Sequence, residues 1–91
     1  MEGKFYLAFE GMKKVELGSI SEEVSLKLYG LSKQARYGEN TKSEPGKFQF
    51  ERLKKWKAWN KFKSMSKEEA MRKYIEIAKD YVAANILVNL D

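Results

Sequence analysis

The sequence contains no cysteine, no histidine and a single proline. Without cysteine there is neither a disulfide framework nor a thiolate nucleophile. Without histidine, the usual zinc sites and the histidine-based catalytic triads are also excluded. We therefore expect no metal site and no bound cofactor.

Long apolar runs are missing as well. Charged residues such as Glu2, Lys4 and Glu10 interrupt the beginning of the chain, so no signal-peptide core is present, and no run is long enough to span a bilayer. The 91 residues are 43% hydrophobic and 34% charged, which is typical of one small domain. We expect one domain over residues 1–91, a cytoplasmic location and no stable insertion in a membrane.

Positive charge is concentrated in residues 51–63. This segment contains six Lys or Arg residues and one acid, a net charge of +5 that equals the formal net charge of the whole chain. Both tryptophans, Trp56 and Trp59, also lie in it. Such a basic surface favours an anionic partner, which could be a nucleic acid, a membrane surface or a phosphorylated small molecule.

Apolar residues recur at helical spacing in four segments. Two kinds of signal indicate helix starts: Ser19 or Ser21 followed by Glu22 and Glu23, and Ser66 followed by acids in the first turn. Gly38 indicates the end of the second helix, and Pro45-Gly46 lies in the loop that follows. We predict an all-α fold with helices over residues 3–16, 21–37, 51–63 and 66–86.

The second predicted helix has two distinct faces. The face that we assign to the core consists of Val24, Leu28, Leu31 and Ala35. The opposite face carries Leu26, Tyr29, Lys33 and Tyr37, of which Tyr29 and Lys33 lie one turn apart. Because Gly30 has no side chain, we expect a depression in the surface beside Tyr29 and Lys33.

On the third predicted helix, aromatic and apolar residues spread over about two-thirds of the circumference, an arc too wide to bury fully. Lys55 projects inside this arc, whereas Lys54, Ala58 and Lys61 are predicted to be solvated. One interpretation is that Lys55 covers a tryptophan with its stem and keeps its ammonium group in water. The other is that Lys55 and Lys33 form two arms of one anion site. Spacing leaves both interpretations open.

Four stretches of the chain match a known family in order and spacing. They are Leu28-Tyr29-Gly30-Leu31-Ser32-Lys33-Gln34-Ala35, Pro45-Gly46, Lys55-Trp56-Lys57-Ala58-Trp59-Asn60, and Ser66-Lys67-Glu68-Glu69-Ala70-Met71 with Tyr74-Ile75. Together they resemble the acyl-CoA-binding protein family over nearly the whole chain. The resemblance implies a four-helix up-down-down-up bundle. It also implies an intracellular carrier of medium- to long-chain fatty acyl-CoA esters. A monomer is the default expectation, and no residue pattern predicts an enzyme.

The resemblance also implies roles for particular side chains on the second, third and fourth helices. Lys33 and Lys55 match the family lysines that hold the ribose 3′-phosphate of CoA. Tyr29 and Tyr74 match the tyrosines that line the site, where a phenol can donate a hydrogen bond while its ring contacts apolar atoms.

The first helix and one departure complete the implied site. Lys13 matches a head-group lysine, and Ala8 and Phe9 lie near where the family packs the ligand. Ser32 stands where most members have a tyrosine, so we expect weaker head-group contact because serine offers no stacking surface. Arg36 and Tyr37 are expected to compensate, Arg36 through forked contacts to phosphate.

A second function, that of a small basic nucleic-acid-binding domain, is also compatible with aromatic residues among lysines. It predicts binding to single-stranded DNA or RNA that falls steeply with salt. Docking on an anionic membrane is a third possible function.

The acid pairs Glu22-Glu23 and Glu68-Glu69 lie at helix starts, where capping and the helix dipole explain them, so we predict no catalytic residue. We expect an acyl-CoA ligand and no nucleic-acid partner.

Overall fold

The computed structural model describes residues 2–82. Four α-helices and one 3₁₀ turn form in this range: α1 (Glu2–Met12), the turn (Leu17–Ser19), α2 (Glu22–Tyr37), α3 (Phe50–Asn60) and α4 (Lys67–Ala78). No strand occurs among these residues, so the predicted all-α fold is confirmed. Within the same range, no helix is both long enough and apolar enough to cross a membrane.

Local capping sets both ends of α2. The Ser21 hydroxyl accepts a hydrogen bond of 3.2 Å from the backbone N–H of Val24, which the helix itself leaves unpaired. At the other end, Gly38 has a φ of 80°, a conformation that favours glycine, and its N–H donates to the carbonyl oxygen of Gln34. Of the two predicted cap candidates, Ser19 and Ser21, it is Ser21 that caps α2, and the predicted stop at Gly38 is confirmed.

A serine cap also starts α4. The hydroxyl of Ser66 accepts a hydrogen bond of 3.1 Å from the N–H of Glu69. Glu68 and Glu69 lie in the first turn, where negative charge opposes the positive end of the helix dipole. This predicted start is confirmed as well.

The end of α4 differs from the prediction, because the helix ends at Ala78 and not at residue 86. The N–H groups of Asp80 and Tyr81 bond to carbonyls three residues back, which tightens the backbone after the helix. This turn places the buried Val82 against Gly11 of α1. The remainder of the predicted helix, residues 83–86, lies outside the described residues.

The first helix is also shorter than predicted. It ends at Met12 and not at residue 16, because the N–H groups of Lys13, Lys14 and Val15 bond to carbonyls three residues back. Apolar spacing had extended the helix through Val15. In the tightened turn, Val15 instead lines a cavity between α1 and α2.

Similarly, α3 spans Phe50–Asn60 instead of residues 51–63. The N–H groups of Phe62 and Lys63 bond to carbonyls three residues back, so the chain leaves the helical path. The turn brings the Met65 carbonyl oxygen to Gln34 of α2, whose Nε2 donates to it at 2.7 Å. The end of α3 is therefore accompanied by a hydrogen bond to another helix, which the sequence around residues 60–65 does not predict.

The core forms where α2 packs against both α3 and α4, while α1 packs against α4. Its buried members are Phe5, Ala8, Leu28, Leu31, Ala35, Ala70, Met71, Tyr74, Ala78 and Val82. Leu28, Leu31 and Ala35 come from the predicted stripe, and Val24 packs at its edge. As a result, α2 is the central helix, and its remaining flank is available for a site.

The helices α2 and α3 cross in direct contact at Gly30 and Ala58. A Cβ added at Gly30 would meet the carbonyl oxygen of Ala58 and lie 2.7 Å from its carbonyl carbon. The prediction that Gly30 leaves a depression beside Tyr29 is therefore wrong, because the α3 backbone occupies the space next to Gly30. Ala58 was predicted to be solvated, but it is half-buried at this crossing.

The two tryptophans attach the loop after α2 to α3. The indole N–H of Trp59 donates to the Gly38 carbonyl oxygen at 2.9 Å, and that of Trp56 donates to the Lys42 carbonyl oxygen at 2.8 Å. Trp59 is only 6% exposed. Packing and loop anchoring thus account for both indoles, and they determine where Lys42 lies.

Candidate functional site

Two lysines from different helices converge on the ring of Tyr29. Lys33 lies one turn after Tyr29 on α2, and Lys55 comes from α3. Their ammonium nitrogens lie 5.6 Å and 5.5 Å, respectively, from the centroid of the Tyr29 ring. Lys55 is exposed overall, yet its charge lies over an aromatic ring of another helix. The fold therefore brings together the two lysines that the sequence paired.

Other aromatic rings surround Lys33. Its ammonium nitrogen lies 5.1 Å from the ring centroid of Tyr37 and 5.6 Å from that of Trp59. Burial among these groups is the main reason why the pKa of Lys33 is lowered from its usual value. The charged form of Lys33 is therefore less well solvated than that of an ordinary surface lysine.

Repulsion between cations acts in the same direction. After burial, the charges of Arg36, Lys42 and Lys55 also lower the pKa of Lys33. Among residues 2–82, no carboxylate lies within ion-pair distance of Lys33 or Lys55. A cluster of cations without acids attracts an anion, and a bound anion would relieve the repulsion.

A cavity of about 290 Å³, which we call the smaller cavity, opens between α2, α3 and the loop that joins them. Its lining residues are Tyr29, Lys33, Lys42, Ser43, Pro45, Arg52, Lys55, Trp56 and Trp59. Four of these are cations and none is an acid. Because ammonium and guanidinium groups form strong hydrogen bonds with phosphate oxygens, the smaller cavity is suited to a phosphate group.

A larger cavity of about 570 Å³ adjoins it and shares Tyr29 and Lys33 with it. The apolar lining of the larger cavity consists of Phe9, Met12, Val15, Ile20 and Leu28. Its polar lining consists of Lys13, Ser25, Tyr29, Ser32, Lys33, Arg36 and Tyr74. The two cavities together join a cationic end to apolar walls, an arrangement that fits an amphiphilic anion.

The structure brings most of the predicted site residues to these two cavities. Those that line the larger cavity are Phe9, Lys13, Tyr29, Ser32, Lys33, Arg36 and Tyr74, and Lys55 lines the smaller one. Ala8 is the exception, because it is fully buried in the core and lines neither cavity.

Ser32 is buried, and its hydroxyl donates a hydrogen bond of 2.8 Å to the carbonyl oxygen of Tyr29 in its own helix. The hydroxyl hydrogen is therefore already used, and only oxygen lone pairs remain toward the larger cavity. In this position the serine supplies neither a stacking surface nor a free donor.

Arg36 extends from α2 toward α1. Its Nε donates to the Ser32 carbonyl oxygen at 3.2 Å, and its guanidinium carbon lies 4.5 Å from the ring centroid of Phe9 and 5.0 Å from that of Tyr37. A guanidinium group has five N–H donors, so further donors are available to a ligand. Arg36 thus adds a planar cation to the wall that lacks a tyrosine at position 32.

Tyr74 and Lys13 occupy different electrostatic environments. Tyr74 is buried against Phe5 and Phe9, and burial raises its pKa to about 12. Its phenol therefore keeps its proton at neutral pH and can donate a hydrogen bond. Lys13 is exposed, and its Nζ forms an ion pair of 3.2 Å with Glu10, so part of its charge is already compensated.

Lys42 and Arg52 both line the smaller cavity, although neither was predicted from the sequence as a site residue. Arg52 lies three residues before Lys55 on α3, and a helical wheel that included it would have placed both on one face. Lys42 belongs to a loop whose path depends on Trp56 and on Asn40, whose Oδ1 accepts a hydrogen bond of 3.0 Å from the Lys42 N–H. No local pattern indicates where that loop lies.

Comparisons with known proteins agree with this geometry. The family model described as acyl CoA binding protein matches residues 2–78. Acyl-CoA-binding protein homolog 1 of Caenorhabditis elegans is 37% identical over 65 residues, which cover 71% of this chain and 76% of that protein. Enoyl-CoA delta isomerase 2 of Rattus norvegicus is 46% identical over 55 residues, which cover 60% of this chain but 14% of that protein.

A solved structure shows the same architecture. The crystal structure of acyl-CoA-binding protein 2 of Oryza sativa superposes with a TM-score of 0.84 at 40% sequence identity, covering 88% of this chain and 86% of that chain. This similarity confirms the predicted four-helix up-down-down-up bundle. The chain belongs to the acyl-CoA-binding protein family.

Proposed function

We propose that this protein binds medium- to long-chain fatty acyl-CoA esters and carries them in the cytoplasm as a monomer, with residues 1–91 acting as one domain. The observation that carries the proposal is the convergence of Lys33 and Lys55 on Tyr29, where the smaller and larger cavities meet. A ligand that fits this junction is anionic at one end and has a long apolar part. Acyl-CoA has both properties, and membership of the family supports the same ligand.

In this proposal Lys33 and Lys55 hold the ribose 3′-phosphate. Among the described residues neither lysine has a carboxylate partner, so a phosphate replaces repulsion between cations with charge-assisted hydrogen bonds. Lys42 and Arg52 line the same cavity and add positive charge for the other phosphates of CoA. The head group is thus selected by several cations at once.

The apolar parts of the ligand contribute more to affinity than its charges. Burying one methylene group is worth roughly 0.8 kcal/mol, so about ten of them contribute on the order of 8 kcal/mol. An exposed ion pair contributes roughly 1 kcal/mol or less. We therefore infer that the acyl chain determines affinity. The cations then select acyl-CoA over a free fatty acid, whose single carboxylate cannot contact all of them.

The side chains of the site support binding and not catalysis. A phenol is protonated at neutral pH, and burial raises the pKa of Tyr74 further, to about 12, so Tyr74 acts as a hydrogen-bond donor and not as a base. The paired acids Glu22-Glu23 and Glu68-Glu69 lie in first turns of helices, outside both cavities. We infer that the ligand leaves the protein chemically unchanged.

Calorimetric titration with three ligands tests this function. Palmitoyl-CoA is expected to bind tightly, and palmitoyl-dephospho-CoA, which lacks the 3′-phosphate, is expected to bind about tenfold more weakly or worse, because two charge-assisted contacts are lost. Palmitate is expected not to displace palmitoyl-CoA at equal concentration. Equal competition by palmitate would show that the cations do not select the head group.

The environment of the two tryptophans does not support a nucleic-acid-binding function. Single-stranded nucleic acids stack on exposed aromatic faces. Trp59 is buried, Trp56 is half-buried, and both indoles donate to backbone carbonyls. Neither tryptophan of the basic helix therefore offers a freely exposed ring for stacking.

A further inference from the structure

A third concave surface lies on the opposite side of the α2–α3 crossing. It has a volume of about 380 Å³ and an apolar floor formed by Leu26, Ala58 and Phe62. Four lysines surround the floor: Lys27 from α2, Lys54 and Lys57 from α3, and Lys61 from the turn that follows. We call this surface, which also includes Glu23, the lysine groove.

The lysine groove is separate from the acyl-CoA site. None of its lining residues lines the larger or the smaller cavity. The backbone contact between Gly30 and Ala58 lies between them. A molecule bound in the lysine groove would therefore leave the site at Tyr29 accessible.

The charges of the lysine groove are largely uncompensated. Lys54 forms an ion pair of 3.2 Å with Glu22. In the described part of the chain, Lys27, Lys57 and Lys61 form no ion pair. These three lysines are exposed, so their charges remain available to a partner from solution. The groove therefore presents a positive field above an apolar floor.

The shape and composition of the groove distinguish between classes of partner. Binding to a bilayer requires apolar side chains that protrude from the protein. The apolar residues of the groove are instead half-buried at the bottom of a depression. Single-stranded nucleic acid needs exposed rings for stacking, and the one aromatic residue of the groove, Phe62, is half-buried. A protein helix with apolar side chains at one-turn spacing can reach such a floor, and acids along its edges can pair with the lysines.

We propose that the lysine groove is a docking surface for an acidic amphipathic helix of a partner protein, which can bind while acyl-CoA occupies its own site. Apolar side chains of the partner contact Leu26 and Phe62, and its carboxylates pair with Lys27, Lys57 and Lys61. The inference does not depend on the proposed ligand, because it rests on a surface that shares no lining residue with that site.

A synthetic helical peptide with leucines on one face and glutamates on its flanks tests the proposal. Titration followed by heteronuclear NMR is expected to give saturable shifts at the lysine groove, with and without palmitoyl-CoA. Replacing both Lys57→Gln and Lys61→Gln is expected to weaken peptide binding about tenfold, as loss of two ion pairs predicts, and to leave palmitoyl-CoA affinity unchanged. The matched control, Lys14→Gln with Lys79→Gln, removes the same charge from exposed positions outside the groove and is expected to have little effect.

Several results would overturn the proposal. These are unsaturable shifts, shifts centred on Tyr29, equal weakening by the control pair, or equal binding of a peptide with alanine in place of leucine. Tighter binding of single-stranded DNA or of phosphatidylserine vesicles at the same residues would assign the groove to a different partner. Because palmitoyl-CoA binding is measured in the same samples, failure of the groove is distinguishable from failure of the acyl-CoA site.

Discussion

Lys54 and Lys55 are neighbours in sequence, but they lie on different faces of α3 and meet different partners. Lys54 forms an ion pair of 3.2 Å with Glu22, and both side chains are largely exposed. Lys55 has no such partner among the described residues, and its ammonium nitrogen lies 5.5 Å from the ring centroid of Tyr29, beside Lys33. The charge of Lys54 is thus paired with a carboxylate of the protein, whereas the charge of Lys55 is available to a ligand.

This difference shows that net charge alone is a poor guide to where an anion binds. Residues 51–63 carry a charge equal to that of the whole chain, yet only Arg52 and Lys55 of their basic residues line the smaller cavity. The contact of α2 with α3 decides which lysines face Tyr29. Changes at that contact, at Lys33 and at Ser32 therefore test the comparison.

The largest effect is expected from Gly30→Ala, which acts on the crossing that sets the two faces apart. The new Cβ would meet the backbone of Ala58, so α2 and α3 would have to separate, at a cost of about 3 kcal/mol in the free energy of unfolding. Urea denaturation measures this loss. Gly3→Ala is the matched control, since nothing lies within 4 Å of its Cβ, and it is expected to change the free energy of unfolding by less than about 0.5 kcal/mol. Equal stability of the two variants would contradict a close crossing.

A smaller effect is expected from alkaline pH. Burial first, and then the nearby cations, lower the pKa of Lys33, while binding of a phosphate favours its protonated form. Affinity for palmitoyl-CoA should therefore be insensitive to Lys33 below that pKa and fall as pH rises above it, by at most about tenfold per pH unit. Lys33→Arg, which stays protonated, should remove this part of the decline.

Calorimetry in buffers of different ionisation enthalpy checks the pH effect by counting the protons taken up on binding. Wild-type protein should take up protons at alkaline pH, and Lys33→Arg should take up fewer. Lys55→Arg is the matched comparison at the other arm of the site. Unchanged proton uptake in Lys33→Arg would show that Lys33 does not contact the phosphate.

The smallest effect is expected from Ser32→Tyr. The serine hydroxyl is used within α2, so a tyrosine ring would add stacking surface to the larger cavity and tighten palmitoyl-CoA binding by about 1 kcal/mol. Ser32→Ala, which adds no ring, should leave affinity nearly unchanged. Calorimetry that finds no gain for the tyrosine would show that Arg36 and its neighbours already supply this contact.

Local signals predicted the caps of α2 and α4, because Ser21, Gly38 and Ser66 act on neighbouring backbone groups. The helical wheel and the family resemblance also paired Lys33 with Lys55, since side-chain direction follows from position in a helix. The early ends of α1, α3 and α4 were missed because they accompany contacts between distant parts of the chain.

Contacts between helices were the least predictable part of the site. The contact of Arg36 with Phe9 joins α2 to α1, and the position of Lys42 depends on the indole of Trp56. Gly30 was predicted to leave a depression beside Tyr29. This prediction was wrong because a glycine in a helix does not indicate which part of the chain packs against it. Here the backbone of Ala58 packs against Gly30.

The most direct test of the central claim is the affinity of palmitoyl-CoA for Lys55→Gln and Lys54→Gln, measured by calorimetry under identical conditions. Both variants lose one positive charge from the same helix. Lys55→Gln should lose about 1 kcal/mol of binding free energy, because a contact between opposite charges is removed. Lys54→Gln should lose less than about 0.5 kcal/mol, since its charge is exposed and paired with Glu22. Equal losses would show that the ligand responds only to net charge and would contradict the assignment of Lys55 to the phosphate.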